Sequence, residues 1–186
     1  YIPMFPFLLL LLFLLFLALN VPKSYVVQVA VTIKKPKNEV LNYIKKLHNQ
    51  LEYSEWLKPD PAIQIEMIGK DGTVGAIQRW KSTMKNMGEG EQEIKTIGEH
   101  LVEIEIRFKE PVEGTCQVEN RFVALNHAET LYTCTFFANA KFPMNIPSYL
   151  FGRGMIKKTQ QKNLDNVKQI LEAKSPALHS EFESKI

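Results

Sequence analysis

The first 21 residues carry no charged side chain and contain the unbroken apolar run Phe7–Leu19. At about 1.5 Å per residue, a helix of that length reaches roughly 31 Å, which matches a hydrocarbon core of about 30 Å. The run alone would also suit a secretory signal, but residues 17–22 offer signal peptidase no small-x-small pair. We therefore predict a transmembrane anchor over residues 1–22, with a cleaved signal peptide as the alternative.

The predicted location is a membrane, crossed once. The side that carries the rest of the chain stays open, because the positive-inside rule needs the charges on both flanks of the span. We expect the lipid bilayer to be a partner of the chain through this N-terminal segment.

Charge and cysteine content exclude several classes of protein. The net charge of +3 comes from basic and acidic residues that are interspersed, so no stripe predicts nucleic-acid binding. Cys116 and Cys134 are too few for a disulfide framework, and no histidine joins them at a zinc-binding spacing. We predict two reduced, buried thiols about 10 Å apart, and no metal or cofactor.

The rest of the chain is predicted to form one domain over residues 23–173, followed by a polar tail over residues 174–186. Tyr25–Ile33 alternates as a half-buried strand does, and helical spacing then begins at Val40. A short helix is predicted over Gln50–Trp56, and a long amphipathic helix over Ile156–Ala173. Between them, turn signals separate six further strands, at 63–68, 74–82, 89–97, 101–108, 115–125 and 129–140.

Alternation within these strands predicts which side chains face inward. Charged residues occupy the outer positions of 89–97 and 101–108, so the positions between them face the interior. The inner face then mixes aromatic rings with amides. The amides either satisfy one another and the backbone, or reach a ligand in a pocket. The candidate ligand-binding residues are Gln78, Trp80, Gln92, Asn120, Phe122, Tyr132, Cys134 and Phe136.

The order of elements resembles the START-like helix-grip superfamily, and sequence details resemble its polyketide-cyclase-type branch, the SRPBCC proteins. The resemblance rests on residues 19–33 with Pro36 and Val40, on 53–56, on 80–82 with 88–90, and on 133–136. It implies an α+β fold in which a curved seven-stranded antiparallel sheet wraps a long C-terminal helix around an apolar cavity. Similar members with a short N-terminal membrane helix favour the uncleaved anchor.

We expect the domain to bind a hydrophobic small molecule such as a lipid, an isoprenoid or a polyketide-like compound, without catalysis. The predicted inner face of the core strands carries no His, Asp or Glu, and the four histidines fall beside helices, in turns or in the tail. An accessory or scaffold subunit of a membrane complex is one alternative, and a cyclase-type enzyme is another. The segment 142–155 is either a lid over the cavity or a connector packed on its end.

Overall fold

The computed structural model describes residues 4–85 and 87–173; Tyr1–Pro3 and the predicted tail lie outside the described residues. Helix α1 spans Met4–Asn20 and has 17 residues, so it reaches roughly 26 Å. No helix within 4–85 and 87–173 is both long enough and apolar enough to cross a membrane. The transmembrane helix expected over 1–22 is therefore not found in this part of the chain.

Seven antiparallel strands form one sheet in the order β1-β7-β6-β5-β4-β3-β2. The predicted number of strands is confirmed, because period-two alternation and turn residues mark each strand in the sequence. The strands are β1 Ser24–Ile33, β2 Gln64–Ile68, β3 Ile77–Lys81, β4 Glu89–Ile97, β5 Leu101–Glu110, β6 Gly114–Ala124 and β7 Thr130–Asn139.

The helices lie before, between and after the strands. The predicted helix over Gln50–Trp56 is shorter than expected: α3 ends at Tyr53 because Ser54 has an extended backbone. The long C-terminal helix is confirmed and begins three residues earlier than predicted. The helical elements are α2 Lys37–Ile44, a 3₁₀ turn Leu47–Asn49, α3 Gln50–Tyr53, α4 Asn145–Pro147, a π turn Ser148–Gly152 and α5 Arg153–Ala173.

Helix α5 lies on the inner face of the sheet and packs mostly against β1. Its buried stripe is formed by Leu164, Val167 and Leu171, spaced as one face of a helix. Lys168 Nζ also donates a hydrogen bond to the Thr32 carbonyl at 2.6 Å. Each fully buried aliphatic side chain contributes roughly 1.5–3 kcal/mol, so this stripe holds α5 in place.

At one end of the sheet lie the first residues of β1 and of the strands that run in the same direction as β1. The last residues of the strands that run in the opposite direction lie at this end too. The register pairs Tyr25 with Ala138 and Phe108 with Gly114 at this end. Helix α1 joins β1 here through residues 21–23. We call it the α1 end of the sheet.

Charged side chains form a ladder on the outer face of β4 and β5. Arg107 Nε donates to Glu91 Oε1 at 2.8 Å, and Arg107 Nη1 donates to Glu93 Oε2 at 2.8 Å. These hydrogen bonds lower the pKa of both carboxyls. The ladder confirms that the alternate side chains of β5, and those of β4 as far as Ile94, face inward; beyond Ile94 the register of β4 shifts.

Candidate ligand cavity

A cavity of about 430 Å³ lies between the inner face of the sheet and α5. This volume falls within the range of small-molecule sites. Most of its wall is apolar, because the inward positions of β5, β6 and β7 meet the first half of α5. The main apolar contributors are Ile104, Ile106, Phe108, Val118, Phe136, Ala138, Ile156 and Leu164.

Six of the eight candidate ligand-binding residues line the cavity: Trp80, Gln92, Asn120, Tyr132, Cys134 and Phe136. The other two, Gln78 and Phe122, face inward but do not line it, and their side chains are fully buried. The alternation of side chains along the strands correctly predicted that all eight lie on the inner face of the sheet. Their role in binding a ligand stays a prediction.

Asn120 and Tyr132 form a polar pair in the apolar wall. The Tyr132 hydroxyl donates to Asn120 Oδ1 at 2.8 Å, and Asn120 Nδ2 donates to the Val102 carbonyl at 3.3 Å. The Tyr132 ring stacks on Phe122 with centroids 5.2 Å apart. Burial raises the pKa of Tyr132 well above its usual value, so the phenol stays neutral. Its oxygen keeps lone pairs that can accept a hydrogen bond.

Three glutamines form a second polar cluster, in which the amides satisfy one another. Gln92 Nε2 donates to Gln78 Oε1 at 2.6 Å and to Gln50 Oε1 at 2.9 Å. Gln78 Nε2 donates to the Leu47 carbonyl at 3.2 Å. These amides satisfy one another and the backbone, as one of the two alternatives has it, while Gln50 and Gln92 also line the cavity. The cluster ties α3 and the 3₁₀ turn to the sheet.

The side chain of Trp80, on β3, lies over a glycine of the neighbouring strand β4. A Cβ atom on Gly90 would overlap the Trp80 ring, so only glycine lets the indole cover this position. The same ring meets Phe108 edge to face, with centroids 5.8 Å apart. Gly88, just before β4, has φ +58° and would overlap the Glu110 carbonyl if it carried a Cβ. Sequence reasoning missed Gly90, although a glycine inside a strand is a signal of close approach.

No protein-family model matches this chain, and a comparison with curated proteins gives no match either. Truncated norcoclaurine synthase from Thalictrum flavum matches the structure with TM-score 0.61 and 14% identity, over 82% of this chain and 96% of that one. Ara h 8.0201 matches with TM-score 0.54 and 15% identity, over 81% of this chain and 99% of that one. The fold is the Bet v 1-like helix-grip fold. At these identities the likeness shows the fold alone.

The two thiols of this helix-grip domain are buried and unpaired. The register sets Cys134 opposite Asn120 and Gln117 opposite Phe137, so the two cysteines do not face each other, as predicted. Burial raises the pKa of both thiols to about 12. Both thiols line the cavity in their neutral form.

A buried carboxylate lies beside the cavity without lining it. Asp60 Oδ2 accepts hydrogen bonds from Ser82 Oγ at 2.5 Å and from the Thr83 amide at 3.0 Å. Asp60 Oδ1 accepts from the Ala62 amide at 2.9 Å. These bonds, that from Ser82 above all, lower the pKa of Asp60. Asp60 therefore fastens the β3–β4 connection, whose Met87 lines the cavity.

The mouth of the cavity lies at the α1 end of the sheet, and sequence reasoning missed most of its residues. The Tyr25 hydroxyl lies 3.0 Å from Ser148 Oγ, and the Tyr25 ring meets Tyr149 edge to face at 5.9 Å. Hairpin residues 110–112 and 114–115 between β5 and β6 supply the other side. The alternation of β1 points to Tyr25, but the connecting segments carry no periodic signal.

Proposed function

We propose that the domain binds an elongated hydrophobic small molecule in this cavity. The observation that carries the proposal is a void of about 430 Å³ with an apolar wall, in a domain whose remaining inner face is packed. A solved complex of norcoclaurine synthase contains dopamine and hydroxybenzaldehyde, so another protein of this fold accommodates small aromatic molecules.

The ligand carries a polar group that meets the Asn120–Tyr132 pair. The Tyr132 hydroxyl already donates its proton to Asn120, so its oxygen is free to accept one from a ligand hydroxyl. The apolar wall on both sides suits hydrocarbon. A lipid, isoprenoid or polyketide-like molecule with a hydroxyl group matches this combination of one polar pair and an apolar wall.

Binding is proposed without catalysis. Among the described residues that line the cavity, the ionisable side chains are Glu110 at the mouth and the buried tyrosines and cysteines. Burial raises the pKa of Tyr53 and Tyr132, and raises that of each thiol to about 12. These groups therefore hold their protons at neutral pH, whereas a general acid or base works best with a pKa near the working pH.

The ligand experiment uses organic extraction of the purified chain followed by mass spectrometry, and then titration with the apolar dye anilinonaphthalenesulfonate. Ala138→Phe places a ring into the cavity, and Val123→Phe adds the same ring on the exposed outer face of β6. We expect Ala138→Phe to lose dye binding and Val123→Phe to keep it. An empty extract together with equal dye binding by both variants contradicts the proposal. Turnover of an extracted compound would favour the cyclase-type alternative.

We further propose that α1 inserts into a bilayer and keeps the domain there. Its large side chains from Phe7 to Phe16 are between 48% and 75% exposed, and a helix that is apolar on all sides belongs in hydrocarbon. A helix shorter than the hydrocarbon core is accommodated by local thinning of the bilayer.

Flotation with phosphatidylcholine vesicles tests this insertion. We expect the chain to float with the vesicles and the variant Leu10→Lys/Leu14→Lys to float less, because charge in hydrocarbon is costly. Val26→Lys, on the exposed face of β1, is the control and should float like the parent. Equal flotation of all three contradicts insertion. A stoichiometric protein partner in detergent would favour the accessory-subunit alternative.

A further inference from the structure

We infer that the segment between β7 and α5 is a second membrane-contact surface, which sets the cavity mouth directly against an anionic bilayer. The inference rests on the proposed function, because it names the place from which a hydrophobic ligand enters. Four large apolar side chains of this segment and Met155 in the first turn of α5 are between 47% and 75% exposed. We call these five side chains the rim patch: Phe142, Met144, Leu150, Phe151 and Met155.

The rim patch borders the mouth. Met155 and Ser148 line the cavity, and Ser148 is held by the hydroxyl of Tyr25 at the start of β1. An apolar molecule that leaves the cavity here therefore passes the exposed side chains of the rim patch before it meets water.

The rim patch also adjoins the base of α1. Asn145 Nδ2 donates to the Val21 carbonyl at 3.0 Å, one residue after α1 ends. The hydrogen bond fastens the segment to the linker of the apolar helix. A bilayer that receives α1 thus lies at the α1 end of the sheet, where the mouth opens.

Charge favours an anionic lipid surface over a second protein as the occupant. Residues 130–164 contain five basic side chains and no acidic one. Lys141, Arg153, Lys157 and Lys158 are exposed, and within residues 4–85 and 87–173 none of these four takes part in an ion pair. Apolar side chains beside basic ones are the composition that binds anionic interfaces.

A tryptophan reporter tests the contact in the full chain. In a Trp56→Phe/Trp80→Phe background, Phe151→Trp places the sole indole in the rim patch. Leu125→Trp places it at an equally apolar exposed site in the β6–β7 turn, at the opposite end of the sheet. Both variants are mixed with phosphatidylcholine vesicles that contain phosphatidylserine and brominated acyl chains.

We expect the Phe151→Trp emission to shift to the blue and to be quenched by bromine, while the Leu125→Trp emission stays unquenched. Adding Lys157→Glu and Lys158→Glu should reduce the quenching. Equal quenching at both sites, or none at either, overturns the contact. A blue shift without vesicles that grows with protein concentration also overturns it, and assigns the rim patch to a second copy of the chain.

Dye binding without vesicles, measured on the parent chain, separates this inference from the proposed function, because the reporter background changes Trp56 and Trp80, which line the cavity. Retained dye binding with no quenching removes the membrane contact and leaves the cavity function standing. Quenching without dye binding or an extractable ligand removes the cavity function and leaves the contact.

Discussion

Phe122 and Trp80 share the inward face of the sheet, yet their surroundings differ. Phe122 is fully buried, because it lies on β6, where α2 packs over β5, β6 and β7. Trp80 is half-buried and lines the cavity at the α1 end. Alternation along a strand thus decides which face a residue occupies. The helices that cover that face decide whether the space is filled or hollow.

Phe122→Ala should strongly destabilise the packed region of the inner face around Phe122. Removal of a fully buried ring leaves a cavity that the surrounding structure fills only partly, so we expect the free energy of unfolding to fall by about 3–5 kcal/mol. Urea denaturation measures the loss. Phe137→Ala, on the outer face of β7 with the ring 40% exposed, should cost much less. Equal losses would show that the region around Phe122 is not tightly packed.

Trp80→Ala should cost less stability than Phe122→Ala, because the indole already borders an open space. The larger change should appear in binding: the wider cavity should accept bulkier apolar probes than the parent does. Fluorescence titration with probes of graded size measures this. A stability loss as large as that of Phe122→Ala, with unchanged binding, would place Trp80 in the filled region.

Emission of the Trp56→Phe variant reports Trp80 alone and sharpens the same comparison. Trp56 was expected at a helix end, whereas it lies in the turn after α3 and lines the cavity, so the parent emission mixes two indoles at one site. We expect the Trp80 emission to shift to the blue on ligand binding. A red emission that ignores apolar ligands would remove Trp80 from the wall.

The elements were predictable because their periods are local properties. The strands alternate and Leu164, Val167 and Leu171 repeat at helical spacing, so the sheet and α5 could be derived from the sequence. Which parts of the inner face are packed and which border a cavity could not be derived, since Phe122 and Trp80 both occupy inward positions of their strands. Their difference arises from α2 and α5, which are distant in sequence.

The site was only partly predictable for the same reason. Ser148 reaches the mouth from a connector with no periodic pattern, and Met155 reaches it from the first turn of α5. Hairpin residues 110–112 and 114–115 line it from across the sheet. The register is irregular between Ile94 and Thr96, where β4 and β5 slip, and alternation alone does not show such a slip. The N-terminal run correctly predicted an apolar segment, and the helix that the structure describes there, Met4–Asn20, covers part of the predicted span of residues 1–22.

Tyr132→Phe should have a smaller effect on stability, about 1 kcal/mol, because one buried hydrogen bond to Asn120 is lost. Affinity for a hydroxylated ligand should fall, while affinity for a pure hydrocarbon should not. Tyr25→Phe is the matched control, since it removes another tyrosine hydroxyl from the cavity wall, at the mouth. Equal affinity losses for both kinds of ligand would show that Tyr132 does not hold the polar group.

The reactivity of the two cavity thiols tests whether they border an apolar void, and the measurement has little effect on the fold. Burial raises the pKa of Cys116 and Cys134 to about 12, so few thiolates exist at neutral pH, and thiolate is the form that reacts. We expect the alkylation rate with iodoacetamide to keep rising about tenfold per pH unit from about pH 8 to pH 10, whereas in urea it should level off near the ordinary thiol pKa of about 8.5. Single Cys116→Ser and Cys134→Ser variants assign the two rates, and a bound ligand should slow both because both side chains line the cavity. A folded-state rate that levels off near pH 9, or that a ligand leaves unchanged, would show that these cysteines face water and not an apolar void.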